Sequence, residues 1–335
     1  MRRKWVFPLT LLAFVAVAGA FCLWGWLNPL RSLASLRRVD GFPLYVMRYY
    51  GGYGFGDYLQ QDLPDRADGL RQGLAPAWAC TCFAALNPQG SLVFGRNFDW
   101  TTRAALLLFT DPPDGYASAS MVDITYLGFG SGEPSWNDRQ RLLRAPYLPF
   151  DGVNERGLAV GMMAVEAQPG HDPHKKTIGS LEAVRLVLDY ARDVDEAVSL
   201  LQGYNIDFRD GPGLHYLLAD VSGHSAVVEF VAGQMVVLRN QRPWQVSTNF
   251  SLSEVKPEGA LAPCRRYNTV WSRLEVTQGR LSPSEAMDLL EEVAQTGGVS
   301  PTQWSVVYDM AGGRIRVVVG RQYERMHEFL LRMWR

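Results

Sequence analysis

Cysteine and histidine are scarce, with four and five copies in 335 residues. No set of them stands at the spacing of a zinc site. The one run that invites a metal reading, His171-Asp172-Pro173-His174, is hemmed in by proline and glycine and has no further ligands at metal spacing. No metal is therefore expected. Charge of one sign is also missing: the formal net charge is −1 with 20% charged residues and no long block, which argues against a nucleic-acid partner. No glycine-rich loop follows a strand in the way a phosphate cradle requires, and Gly128-Phe129-Gly130 is too short a match to count, so no organic cofactor is expected. Internal repeats and low-complexity tracts are absent as well. What remains is a globular composition, 47% hydrophobic.

Long uncharged apolar runs are confined to the start. Met1-Arg2-Arg3-Lys4 is basic, and Trp5 to Leu27 carries no charge, enough for the roughly 20 residues that cross a bilayer. Ala18-Gly19-Ala20 offers a signal-peptidase site, but the run stays apolar beyond it, which favours an uncleaved anchor over a signal peptide. The positive-inside rule then leaves the bulk of the chain on the non-cytoplasmic side, periplasmic, extracellular or lumenal, with secretion after signal cleavage as the alternative. The chain thus divides into a basic start with a membrane segment (1–27), a segment 28–79 rich in glycine and tyrosine around Tyr49 to Gly56, and a globular part (80–335).

Cys80 to Trp100 reads as two short strands about the turn Asn87-Pro88-Gln89-Gly90. Such a hairpin brings a thiol, Cys80, back beside a cation and a carboxylate, Arg96 and Asp99. A thiol is a poor nucleophile until it ionises, and a guanidinium nearby favours the thiolate. A carboxylate cannot help a thiolate directly but can hold an amine, and the amine at hand is the α-amino group of Cys80 itself, which exists only after a cut between Ala79 and Cys80. The competing reading is plain core packing for Cys80 and Cys82, with a surface ion pair in Arg96-Asn97-Phe98-Asp99.

With Gly90 at +10, Arg96 at +16 and Asp99 at +19 from Cys80, the stretch resembles the N-terminal nucleophile amidohydrolases, in the branch of choloylglycine hydrolase, penicillin V acylase, acid ceramidase and isopenicillin-N acyltransferase. The same spacing leaves Cys82 out of register. Asp151 to Leu158 resembles the family's DGxNExGL segment, although Ala164 stands where bile-salt-hydrolase-like members have an asparagine, so only a backbone N–H is available there. Asp151 and Glu155 also admit a reading as paired acid/base carboxylates, which turn capping explains more simply. Ser247-Thr248-Asn249 resembles the segment that supplies an oxyanion amide, and Asn249-Phe250-Ser251 is equally a glycosylation sequon. In Cys264-Arg265-Arg266-Tyr267, Arg266 matches the family's late arginine better than Arg265. With Cys80 free as nucleophile, Cys82 and Cys264 are left unpaired.

Elsewhere, strands are expected at Ala104 to Phe109, Met121 to Leu127, Ala159 to Val165, His215 to Asp220, Ser225 to Phe230, Gln234 to Leu238, Trp244 to Val246, Trp304 to Met310 and Arg314 to Gly320. Helices are expected at Ile178 to Tyr190, Val194 to Leu201 and from Ser282 to Val293, and Asp57 to Leu74 is weakly helical. Paired strands, then a helical pair, then strands again give an α+β fold with antiparallel sheets. The resemblance implies the same class as a four-layer αββα sandwich, here preceded by the N-terminal membrane helix. It further implies hydrolysis of a small N-acyl amide by Cys80 with Arg96, Asp99, Asn249 and Arg266. An acyltransferase would share every residue and differ in whether an amine or water resolves the acyl-enzyme, and a non-catalytic membrane-tethered domain would keep Cys80 uncut.

Overall fold

The computed structural model describes residues 27–60, 79–101, 104–130, 135–208 and 211–333. The expected membrane run 5–27 lies outside them except for Leu27, as do residues 61–74 of the weakly helical stretch. Among the described residues no helix is long and apolar enough to cross a membrane.

The strands are β1 (Arg37–Asp40), β2 (Leu44–Arg48), β3 (Ala79–Ala85), β4 (Val93–Asp99), β5 (Ala105–Thr110), β6 (Ser118–Asp123), β7 (Pro149–Asn154), β8 (Ala159–Ala164), β9 (Thr177–Gly179), β10 (Asn205–Asp207), β11 (Leu214–Ala219), β12 (Ser225–Val231), β13 (Gln234–Arg239), β14 (Trp244–Ser247), β15 (Thr302–Asp309), β16 (Arg314–Val319) and β17 (His327–Leu330). The helices that matter here are α1 (Phe55–Gln60), α2 (Ser180–Tyr190), α3 (Val194–Gln202), α4 (Leu252–Val255), α5 (Arg265–Thr277) and α6 (Pro283–Glu292).

Nine strands form one sheet in the order β1-β2-β5-β6-β7-β8-β11-β12-β13, and six form another in the order β14-β3-β4-β15-β16-β17. The smaller sheet is antiparallel throughout, and the larger one departs from that only where β2 runs parallel to β5. The sheets pack face to face through β3, β8 and β11, α2 covers β7 and β8 from outside, and α5 and α6 cover β14, β3, β4 and β15. The result is the expected α/β/β/α layering, with β3 and β4 buried on both faces.

That double burial explains why β4 continues through Arg96-Asn97-Phe98-Asp99, where a surface loop was the competing expectation: all seven of its residues are buried. Successive side chains alternate between faces. Cys82 faces the larger sheet, where a Cβ on Gly161 would sit 2.9 Å from its sulfur, so the glycine lets the sheets close at this point. Asn97 faces the helices and donates to the carbonyl of Leu290 at 2.8 Å.

Local signals act as expected at several helix starts. Ser282 and Glu285 form a capping box with Pro283 at the first helical position, and Asp193 caps α3. The elements not expected include four that matter here. β7 occupies residues that look like a turn, α5 begins at Arg265, and β1 and β2 place the segment before Cys80 on the edge of the larger sheet.

Candidate active site

Cys80 is the second residue of β3, paired with Phe98, and is 1% exposed. Because β3 runs unbroken through Ala79, the Cys80 nitrogen is a peptide N–H, and it donates to Asn249 Oδ1 at 2.5 Å. Arg96 approaches the sulfur through Nη2 at 3.8 Å. Burial pushes the thiol above its ordinary range, the Arg96 charge pulls it down and the Asp99 carboxylate pushes it up, with a net rise. In the uncut chain the sulfur is therefore held as a neutral thiol.

Arg96 is fully buried and needs a counter-ion. Asp151 supplies it at 2.8 Å, and the same Arg96 nitrogen donates to the carbonyl of Phe150. Asp151 is in turn held by the Tyr308 hydroxyl at 2.5 Å and the Trp304 indole at 3.3 Å. Burial works against the charge on Arg96, and Asp151 with the neighbouring sulfurs more than offsets it, keeping the guanidinium protonated. Asp151 thus neither caps a turn nor pairs with Glu155, whose carboxylate accepts from the Ala117 N–H at 3.1 Å. Its local sequence shows only turn residues, so its partnership with Arg96 across the sheets had no signal in the chain order.

Asp99 sits at the end of β4, opposite Ala79. It accepts from Thr302 Oγ1 at 2.5 Å and Gln295 Nε2 at 3.3 Å. Burial raises its carboxyl to about 6 against the pull of Arg266, Thr302 and Gln295. Arg266 reaches in from the first turn of α5, 3.7 Å from Asp99, and donates to the Cys80 carbonyl, to Thr81 Oγ1 at 2.8 Å and to Asn249 Oδ1 at 2.9 Å. Arg265, its neighbour, is exposed.

Asn249 follows β14 directly. Its oxygen is held by the Cys80 N–H and Arg266, and its nitrogen donates to the Ala164 carbonyl at 2.8 Å. Among the described residues its second amide hydrogen meets no acceptor. Ala164 ends β8, and since the Val165 N–H bonds Gly213 in the ladder to β11, alternation turns the N–H and C=O of Ala164 toward Asn249 instead. The sequon residues are engaged inside the fold, with Ser251 Oγ donating to Glu229 at 3.0 Å.

All five expected residues therefore meet where β3 begins and β4, β8 and β14 end. Cys80, Cys82 and Cys264 are free thiols, and Cys82 packs against Gly161 of β8. Asp151, expected as a turn cap or an acid/base carboxylate and not as a counter-ion, joins this end of the sandwich through Arg96, and His215, which sequence reading missed, joins it through the Thr248 carbonyl.

Residues 80–252 match the family model of linear amide C–N hydrolases, choloylglycine hydrolase family. A penicillin V acylase of Pectobacterium atrosepticum is 30% identical over 197 residues, 54% of this chain and 51% of that protein. The match thus spans about half the length of that relative. Among solved structures, a mutant conjugated bile acid hydrolase from Clostridium perfringens superposes with a TM-score of 0.56 at 18% identity, covering 75% of this chain and 92% of that one. The penicillin V acylase of Agrobacterium tumefaciens gives 0.53 at 20% identity, covering 72% and 83%. At such identities the two structures speak for the fold alone.

Proposed function

The chain belongs to the linear amide C–N hydrolases of the choloylglycine hydrolase family, an N-terminal nucleophile fold, and from that premise we propose that it hydrolyses a small, non-peptide N-acyl amide with Cys80 as the nucleophile. The observation that carries this reading is the hold of Asn249 on the Cys80 nitrogen at 2.5 Å, with Arg266 bonded to both residues.

Cleavage of the Ala79–Cys80 bond turns that nitrogen into a primary amine, whose ordinary pKa of about 7.7 to 8.0 suits a general base near neutrality. The amine takes the thiol proton, and the thiolate, favoured by Arg96, adds to the amide carbonyl. The remaining hydrogen of the Asn249 amide and the Ala164 N–H are the donors best placed for the oxyanion, and one such donor is worth roughly 3 kcal/mol of barrier in other hydrolases. The intermediate collapses as the ammonium returns its proton to the leaving nitrogen, the amine product departs, and water cleaves the thioester to free the acid and regenerate Cys80. Asp99, with Arg266, fixes the start of β3 so that amine and thiol stay together. The cut itself is assigned to the same thiol, which attacks the Ala79 carbonyl before water releases the ester-like intermediate.

The basic start and the apolar run from Trp5 to Leu27 support a tether that leaves this site on the non-cytoplasmic side, with release after signal cleavage as the alternative. The test of the nucleophile is a pair of variants assayed on N-acyl amides. Cys80→Ala should abolish turnover, while Cys82→Ala should keep it. An active Cys80 variant beside a dead Cys82 variant would move the nucleophile and refute the mechanism.

A further inference from the structure

His215 on β11 and Glu229 on β12 are fully buried in the larger sheet, yet among the described residues their side-chain hydrogen bonds beyond each other go to residues 247–253, which leave the end of β14 in the smaller one. His215 Nε2 lies 2.7 Å from the Thr248 carbonyl and 3.2 Å from Ser247 Oγ, and Nδ1 lies 3.1 Å from Glu229 Oε1. A carbonyl and a carboxylate are both acceptors, so a ring N–H of His215 has a partner on either side, the Thr248 carbonyl or Glu229. Glu229 then takes the far side of the turn: Leu252 N–H at 2.7 Å, Ser253 N–H at 2.9 Å, Ser253 Oγ at 2.5 Å and Ser251 Oγ at 3.0 Å.

One pair therefore grips the chain immediately before Asn249 and again just after Phe250. Asn249 itself is left to the Cys80 nitrogen, Arg266 and the Ala164 carbonyl. A buried carboxylate with a histidine partner is an expensive way to fill a core, because apolar side chains of similar volume do so without desolvating charge. Its return here lies in placement, since a catalytic donor must be held to within about half an ångström and a slip of about 1 Å costs on the order of 100-fold in rate.

We infer that His215 and Glu229 are positioning residues for the reaction, a cross-sheet clamp that sets the Asn249 amide against the oxyanion. The inference rests on the role given to Asn249 above, and its test separates the two. His215→Leu, His215→Gln, Asn249→Ala and the double variant His215→Leu/Asn249→Ala are compared for kcat and KM on one N-acyl amide, with melting curves. Loss of the clamp should lower kcat about 10- to 100-fold with KM changed less than about twofold. His215→Gln, which still offers an N–H to the Thr248 carbonyl, should recover part of it. In the Asn249→Ala background the His215 change should cost kcat nothing further.

Losses that multiply in the double variant, or a folded His215→Leu protein with wild-type kcat, would overturn the clamp while leaving Asn249 in place. A normal kcat in Asn249→Ala alone would overturn both assignments. If His215→Leu does not fold, Glu229→Gln, which keeps the shape and removes the charge, is read by the same comparison.

Discussion

Arg96 can favour a thiolate at Cys80 only while it remains charged inside the protein, and Asp151 is what keeps it so. Removing one partner of such a buried pair leaves the other uncompensated. Asp151→Asn is therefore expected to lower stability by about 3 to 5 kcal/mol, measured by urea unfolding, whereas a substitution at exposed Arg265 should change it little. At this scale the spacing from Cys80 to Arg96 and Asp99 was legible because a short hairpin fixes which residues face each other, and β3 and β4 keep that register from Ala79 to Ala85. Asp151 was not legible. Its neighbours Gly152, Asn154 and Gly157 spell a turn, and only the stacking of one sheet on the other brings its carboxylate to Arg96.

The turn from Ser247 to Ser253 is the element on which the oxyanion donor depends, and its anchor titrates. Burial alone would raise the Glu229 carboxyl, but the hydrogen bonds from His215, Ser253 and Leu252 bring it down to about 2 from an ordinary 4.5. A carboxyl depressed in the folded state adds stability that is complete above the unfolded value and disappears as pH falls through the folded one. Acidification from about pH 4.5 to about pH 2 should thus withdraw on the order of 3 kcal/mol. Glu229→Gln, although less stable near neutrality, should show a flatter loss over that window in urea titrations at successive pH values; an unchanged slope would mean that Glu229 is not what titrates.

Among elements, α2, α3 and α6 were readable from apolar spacing and caps, since those signals are local. β7 was hidden because pairing with β6 and β8 overrides its turn-like composition. α5 was hidden because its polar run Arg265-Arg266-Tyr267-Asn268 masks the short apolar stripe of Tyr267, Val270 and Leu274.

For the molecule as a whole, the segment before Cys80 is built into the sandwich. β2 lies along β5, Tyr53 donates to both oxygens of buried Asp189 at 2.7 and 2.6 Å, and Asp189 pairs with Arg185 at 3.0 Å. Phe55 stacks against Tyr190, and Asp40 on β1 binds His327 on β17 at 2.7 Å. After a cut at Ala79–Cys80 the two pieces should separate on denaturing gels and stay together through native gel filtration. Tyr53→Phe should weaken that association by about 1 to 3 kcal/mol, since it removes a hydrogen bond to a buried carboxylate and leaves Arg185 as its partner. The aromatic run from Tyr49 to Phe55 gave a hint of such a hold. The strands did not, because a parallel partner some sixty residues away leaves no local mark.

The most direct measurement traps the reaction itself. Purified protein is mixed with an N-acyl amide, quenched in acid within the first turnover, and its pieces are weighed and sequenced by mass spectrometry. The expected result is a large fragment that begins at Cys80 and carries the acyl group on the Cys80 sulfur as a thioester. Full turnover by chains whose Ala79–Cys80 bond is intact, or an acyl group on any other residue, would contradict an N-terminal cysteine nucleophile.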